Sequence, residues 1–229
     1  MGTKVIVSYD GTGSDRDALS LGRLLAGAGA SLELAYVRHA PESESTREQL
    51  AESEARALLT AGAEEIGEAG LPTHVVLSGS TPAGLRDLAL RIEADMIVFG
   101  SEYRTARGHI DPQASARRLL DGGPIALGLA TAGLHDVTDY AVRAIGAIGE
   151  DGDPCVLETA EALAANLGAE VAPRATADVD LIVVGSKPGA VTGRVTISAA
   201  AEYLIELARC PVVVLPRGVA LGFGGKEHS

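Results

Sequence analysis

Tryptophan is absent from this sequence, and aromatic residues occupy only 3% of its 229 positions. Proteins that bind single-stranded nucleic acids stack the bases on aromatic side chains, so that class is disfavoured. Basic residues are also scarce, with 19 Lys and Arg against 31 Asp and Glu. A net charge of -12 repels phosphate backbones and anionic lipid headgroups. We therefore expect no nucleic-acid partner and no membrane partner.

Cysteine is nearly absent, since Cys155 and Cys210 are the only two in the sequence. Both lie in apolar surroundings that suit reduced, buried thiols, so we predict neither a disulfide framework nor a cysteine metal site. The five histidines lack metal-ligand spacing. No apolar run is long enough to cross a bilayer, and the N-terminus leads directly into the strand-like residues 5–7. These features predict a cytoplasmic protein.

The sequence does contain alternating strand and helix patterns. Short runs rich in Val, Ile and Leu, without polar alternation, are separated by segments whose apolar residues recur at helical spacing. Strands of this type are buried on both faces of a parallel sheet, and right-handed crossovers place helices on both sides. The predicted fold is therefore α/β, with a doubly wound, Rossmann-like parallel sheet.

An internal repeat divides the chain. Residues 95–101 read DMIVFGS and residues 180–186 read DLIVVGS, and each is followed by a loop, a helix and a proline-led strand at Pro124 or Pro211. From Asp10 to Asp95 is 85 positions, but from Asp151 to Asp180 is 29, so the second unit is 56 residues shorter. We predict a complete unit over residues 1–132, a truncated unit over 137–217 and a flexible tail over 218–229.

The segment after the fourth predicted strand has features of an anion site. Gly100 and Ser101 end the strand, and a loop with Arg104 leads to Ser115 at the start of a helix. Backbone amides at such a loop and helix start can bind phosphate. The alternative is an ordinary strand-to-helix turn with solvated arginines. Asp10 likewise is either a ligand contact or a residue of an Asx-type loop or helix cap.

These residues resemble the universal stress protein family. Nucleotide-binding members carry Gly-x-x-Gly, nine residues and then Gly-Ser or Gly-Thr after the fourth strand, and an acidic residue in the loop after the first strand. The resemblance implies that Asp10, Gly11 and Thr12 contact the ligand, with Val37 beside an adenine ring. It implies further contacts from Gly100, Ser101, Arg104 and Ser115, and from Gly185, Ser186 and Ser198 in the second unit.

Neither unit has the complete motif. Its second glycine falls on Tyr103 in the first unit and on Pro188 in the second, and the third region reads Ala-Ser or Ser-Ala. A side chain at Tyr103 would either block the ligand or cover it, and Pro188 lacks an N–H donor. Ser198 has a second interpretation, as the cap of the last helix.

Two functions remain open from the sequence. The first is a regulatory protein that binds an adenine nucleotide such as ATP or AMP. The second is a stress-response interaction module without a nucleotide, associating through its fifth strands, either between the two units as a pseudo-dimer or in a homodimer. Slow ATP hydrolysis or nucleotidyl transfer is the third and least favoured alternative, because no general base or metal-binding carboxylate pair accompanies the loops. We therefore expect no catalytic residues and no enzyme beyond a weak ATPase.

Overall fold

The computed structural model describes residues 2–39, 45–67, 70–150, 152–172 and 178–224. Asp151 and residues 225–229 of the predicted tail lie outside the described set. Within it are nine strands: β1 Lys4–Ser8, β2 Ser31–His39, β3 Thr73–Ser78, β4 Met96–Phe99, β5 Ala126–Leu129, β6 Ala144–Ile148, β7 Glu170–Ala172, β8 Leu181–Val184 and β9 Val212–Val214. The six α-helices are α1 Gly13–Gly27, α2 Ser45–Ile66, α3 Thr81–Ile92, α4 Ala114–Leu120, α5 Pro154–Leu167 and α6 Ala199–Leu207.

All nine strands form one sheet in the order β3-β2-β1-β4-β5-β9-β8-β6-β7. Neighbours are parallel except for β5 and β9. The central strands β4 and β8 are buried at every residue, which explains their continuous apolar sequence. The predicted α/β, doubly wound sheet is confirmed.

The antiparallel contact between β5 and β9 relates the two halves by a local twofold axis. Gly128 pairs with Val213, Leu127 with Val214 and Leu129 with Val212. Gly128 and Val213 are 85 positions apart, as are Gly100 and Gly185 in the repeated sequence. Gly128 therefore pairs with its own equivalent, and Leu127 and Leu129 pair with each other's equivalents, as in the self-complementary interface of a symmetric dimer. The fifth strands of both halves are used inside one chain.

Hydrogen bonds repeat at the same offset of 85 residues. Gly108 N–H donates to Ala132 O at 2.8 Å in the first half, and Gly193 N–H donates to Arg217 O at 2.8 Å in the second. The Ser101 and Ser186 hydroxyls donate to Ala130 O and Leu215 O respectively, both at 2.8 Å. The loops after β4 and β8 are thus equivalent in structure as well as in sequence.

Two apolar cores fill the space between the sheet and the helices. On one face, α1, α2 and α5 bury residues such as Leu21, Leu59 and Leu163. On the opposite face, α3, α4 and α6 bury residues such as Leu85 and Ile205. Alternate residues of each strand contribute to the two cores, so the sheet separates them.

The described residues of the second half include no counterparts of α2, β3 and α3. Only residues 173–180 link β7 to β8, whereas residues 40–95 link the equivalent strands of the first half. The sequence patterns did not predict β7, because a three-residue edge strand reading EVA carries almost no strand signal.

The tail prediction is wrong for the residues that the structure describes. Leu221 and Phe223 are buried in the core beside α5. Thr3 N–H and its hydroxyl both donate to Gly222 O, at 3.0 and 2.8 Å. The apolar residues at 221 and 223 alternate with glycines and pack as an extended segment. Across the described ranges, no helix has the length and apolar character needed to span a membrane.

Candidate functional site

The candidate site lies where the strand order reverses. In the first half β1 pairs with β2 on one side and with β4 on the other, so the chain leaves the carboxyl ends of β1 and β4 in different directions. The second half has the same arrangement at β6 and β8. Open α/β sheets bind ligands in the crevice at this point. The residues predicted to contact a ligand occupy the loops at these two crevices, apart from Val37 in β2 and Ser115 in α4.

The loop after β1 is fixed from its inner side by Asp15. One carboxylate oxygen, Asp15 Oδ2, accepts hydrogen bonds from Asp10 N–H at 2.8 Å, Thr12 N–H at 2.9 Å and the Thr12 hydroxyl at 3.0 Å. Asp15 is 4% exposed, whereas Asp10, Gly11 and Thr12 are exposed. Leu58 of α2 packs against Gly11. The loop therefore presents a fixed, exposed carboxylate at Asp10.

Asp10 and Asp15 form a coupled carboxyl pair. A hydrogen bond from the Asp15 carboxyl group lowers the pKa of Asp10. Burial, followed by the contact with Asp10, raises the pKa of Asp15 from 3.8 to about 7. Near neutral pH the pair therefore shares a proton, with Asp10 as the charged partner.

The stability of the protein should report the proton on Asp15. Between about pH 4 and about pH 7 the folded chain holds this proton and the unfolded chain has lost it, so the free energy of unfolding falls as the pH rises. Between about pH 5 and about pH 7.5, the free energy of unfolding of the unsubstituted protein should fall by about 2 kcal/mol more than that of Asp15→Asn. Urea unfolding of both proteins at each pH measures this difference. Parallel pH profiles would show that Asp15 does not retain the proton.

Gly100 lies directly against the first turn of α1. A Cβ atom at this position would be 2.0 Å from Ser14 O. The glycine is therefore required by the close approach of α1 to the end of β4, with no phosphate needed to explain it. That Gly100 contacts a ligand stays a prediction, and the contact could be made only by its backbone atoms.

The predicted ligand contacts from Ser101 and Ser186 need correction for their side chains. Both are buried, with 1% and 0% of their surface exposed. Each hydroxyl donates to the chain after the fifth strand of its own half, and Ser186 Oγ also accepts from Thr196 N–H at 3.1 Å. The serines hold the loops to the sheet, so their hydroxyls are turned away from the crevice.

The loop after β4 adopts a left-handed turn at Arg104, with φ of 75°. The equivalent residue in the second half is Gly189, with φ of 77°. The left-handed conformation expected of the motif's second glycine thus occurs one position after Tyr103 and one position after Pro188. Tyr103 is 76% exposed, and the Arg104 guanidinium lies 5.4 Å from the centre of its ring. Both side chains therefore extend into solvent at the rim of the crevice.

Val37 and Ser115 are less available than the loop residues. Val37 is 8% exposed and belongs to the core cluster with α3, where its side chain lies against Gly84. A ligand there would meet only the edge of its side chain. Ser115 is half-buried in the first turn of α4.

In the second half, an acidic side chain of the protein occupies the corresponding place. Glu150 follows β6 as Asp10 follows β1, and its carboxylate accepts a hydrogen bond from the Ser198 hydroxyl. Ser198 Oγ also accepts from Ala201 N–H at 3.1 Å, so Ser198 caps α6, as its alternative interpretation predicted. Arg217 lies nearby, 3.6 Å from Asp153. The Glu150 carboxylate and the Ser198 hydroxyl are thus engaged with each other, and Arg217 is paired with Asp153.

Sequence reasoning missed Asp15, Asp17 and Glu150, although each organises one of the loops. Asp17 is 3% exposed and binds the Gly133 and His135 amides and the His135 ring. Two sequence signals were available. Asp15 follows Thr12 by three residues, which is a capping-box spacing, and Asp17 is an acidic residue on the apolar face of α1. No sequence signal connects Asp17 with residues more than 100 positions away.

A separate cleft of about 270 Å³ lies on the local twofold axis, between α4 and α6. Residues 85 positions apart face each other across it, and one such pair, Arg117 and Glu202, approaches to 3.8 Å. Its lining consists of Pro112, Arg117, Leu120, Asp121, Lys187, Thr196, Ile197, Glu202, Ile205 and Glu206. Among the described residues, no group of three His, Cys, Asp or Glu side chains is placed to hold a metal ion.

Comparison with known proteins identifies the fold. The universal stress protein family model matches residues 1–112. A universal stress protein from Archaeoglobus fulgidus DSM 4304 aligns with TM-score 0.70 and 14% identity, over 94% of this chain and 98% of that one. A protein from Pseudomonas aeruginosa UCBPP-PA14, described as a universal stress protein, aligns with TM-score 0.63 and 15% identity, over 94% and 93%.

A universal stress protein in complex with cAMP aligns with TM-score 0.36 and 20% identity, over 42% of this chain and 73% of that one. No curated protein matches the sequence. The first two structural neighbours span nearly the whole chain, including both halves of the sheet.

Proposed function

Because the chain belongs to the universal stress protein family, we propose that it is a regulatory protein that binds one adenine nucleotide, ATP or AMP, in its first half. The observation that carries this proposal is the difference between the two crevices. The first presents the exposed carboxylate of Asp10 on a fixed loop, whereas in the second Glu150 already engages the cap of α6. The proposed function is binding, without a catalytic step.

Asp10 has the chemistry needed to bind a nucleoside. A carboxylate at the end of a parallel strand can accept hydrogen bonds from ribose hydroxyls. The contact with Asp15 lowers the pKa of Asp10, so this acceptor stays charged at neutral pH. Since Asp15 fixes the amides of Asp10 and Thr12, little ordering of the loop is needed on binding.

The phosphates would then lie along the loop after β4. Arg104 supplies an exposed guanidinium there, and Ser115 lies in the first turn of the following helix. Arginine forms paired hydrogen bonds with phosphate oxygens. Tyr103 is solvent-exposed, which favours a role in covering the ligand over one in blocking it.

The alternative function, association through the fifth strands, is less favoured. The hydrogen-bonding edges of β5 and β9 are paired with each other, so neither is available to another copy of the chain. The strand pairing that two separate subunits would form by dimerisation is here made within a single chain. We therefore propose that the pseudo-dimer is intramolecular.

Thermal unfolding with ATP, ADP, AMP and cAMP tests the proposal. At a hundredfold excess over Kd, ATP or AMP should stabilise the protein by about 2.7 kcal/mol. The gain should disappear in Asp10→Asn and persist in the matched second-half variant Glu150→Gln. An absence of stabilisation by any of the four nucleotides at millimolar concentration would exclude the proposed ligand class.

A further inference from the structure

Helix α6 carries an uncovered apolar face. Tyr203 and Leu207 are one helical turn apart and are 62% and 53% exposed, and Leu204 between them is half-buried. Side chains at i, i+1 and i+4 share one side of a helix. Large apolar side chains that adjoin one another on a surface mark a binding site more often than isolated ones do.

The first half shows what covers the equivalent face. Its helix α4 corresponds to α6 at the offset of 85 residues, so that Arg118 and Leu119 correspond to Tyr203 and Leu204. Leu119 is only 6% exposed, in the cluster that includes Leu85 and Leu88 of α3. Helix α3 packs against α4. The second half has no counterpart of α3 in its described residues, and the eight residues between β7 and β8 are too few for a 12-residue helix like α3.

At the positions that α3 covers in the first half, the sheet and α6 of the second half differ from their counterparts in opposite ways. On the sheet, Ile6 of β1 is fully buried in the core that includes α3, while its equivalent in β6 is Gly146, which leaves no large apolar side chain to cover. On α6 the second half has the larger apolar residue, because Tyr203 lies where α4 has Arg118. Tyr203 thereby lies beside the exposed Leu207 and adds to one apolar patch.

We infer that the Tyr203, Leu204 and Leu207 face of α6 binds an amphipathic helix of a partner protein, in the position that α3 takes in the first half. The partner helix would present a Leu and Ala face like that of α3 and would carry basic flanks. The exposed Glu170 and Asp178 bound the gap left by the missing elements, whereas Glu202 and Glu206 of α6 line the cleft that faces α4. A second copy of this chain, at a net charge of -12, would meet electrostatic repulsion there.

A peptide with the sequence of α3 serves as the probe. Residues 79–94, with blocked ends and with Asp87 and Glu93 replaced by lysine, supply the apolar face and a basic flank. Titrated into the full-length ¹⁵N-labelled protein, the peptide should shift the amide resonances of α6 in a saturable manner. Leu207→Glu and Tyr203→Arg should each weaken binding at least tenfold. Leu157→Glu, at a similarly exposed leucine of α5, should leave it unchanged.

Each of the following results would overturn the inference. No saturable change at millimolar peptide would show that α6 does not bind a helix of this kind. Equal loss of binding in Leu157→Glu would show that the peptide adheres to apolar surface in general. If sedimentation shows dimers that Leu207→Glu dissociates, the face is occupied by a second copy of the chain.

Discussion

Replacing Asp17 by alanine should lower the free energy of unfolding by about 4 kcal/mol. The Asp17 carboxylate accepts hydrogen bonds from Gly133 N–H at 2.9 Å, His135 N–H at 3.0 Å and the His135 ring at 2.6 Å. All of these groups belong to the connection between the two halves. Alanine would leave two backbone donors and an imidazole without their acceptor in a site that is 3% exposed at Asp17.

Asp136→Ala is the matched control for Asp17→Ala. Asp136 contacts the other nitrogen of the His135 ring at 3.1 Å, but its side chain is 45% exposed. Because water replaces an exposed carboxylate easily, this variant should lose less than about 1 kcal/mol. Urea unfolding monitored by circular dichroism compares the two. Similar losses in both variants would mean that Asp17 does not fix the connection.

Gly100→Ala should destabilise the protein by about 3 kcal/mol or prevent folding. The new methyl group would lie 2.0 Å from the Ser14 carbonyl oxygen and 2.7 Å from its carbon, so α1 would have to move away from β4. Backbone atoms inside a helix cannot yield as a side chain can. The free energy of unfolding, or the yield of folded protein, measures the effect.

Gly185→Ala provides the comparison within the same chain. A methyl group there would meet Val156 Cγ2 at 2.7 Å, which is the end of a side chain. We expect a loss of about 1 kcal/mol, relieved by the additional substitution Val156→Ala. Equal effects at Gly100 and Gly185 would contradict the explanation from helix approach.

The repeated fold could be predicted because local patterns determine it. The segments 95–101 and 180–186 are short apolar strands followed by Gly-Ser, and the structure places them as equivalent central strands next to β1 and β6. Helix α4 begins at Ala114, so Ser115 lies in its first turn as predicted. Such elements depend on period and on turn residues, which are properties of neighbouring positions.

The details of the site depend on contacts between distant positions, so the sequence could not reveal them. Ser101 and Ser186 stand where a phosphate contact was expected, yet their hydroxyls bind carbonyl groups 29 residues away. Glu150 meets Ser198 across 48 positions. The apolar face of α6 has the sequence of an ordinary buried helix, yet Tyr203 and Leu207 are exposed, and no counterpart of α3 occurs among the described residues of the second half. In each case burial decides the role of the residue, and burial follows from the assembled sheet.

The number of nucleotides bound per chain tests the central claim most directly, because the two crevices derive from equivalent positions and differ in whether the carboxylate after the first strand is exposed or already engages a helix cap. Isothermal titration with ATP or AMP should give one site per chain, with binding lost in Asp10→Asn and unaffected by Glu150→Gln. Two equal sites, or a single site that depends on Glu150 and not on Asp10, would contradict the account.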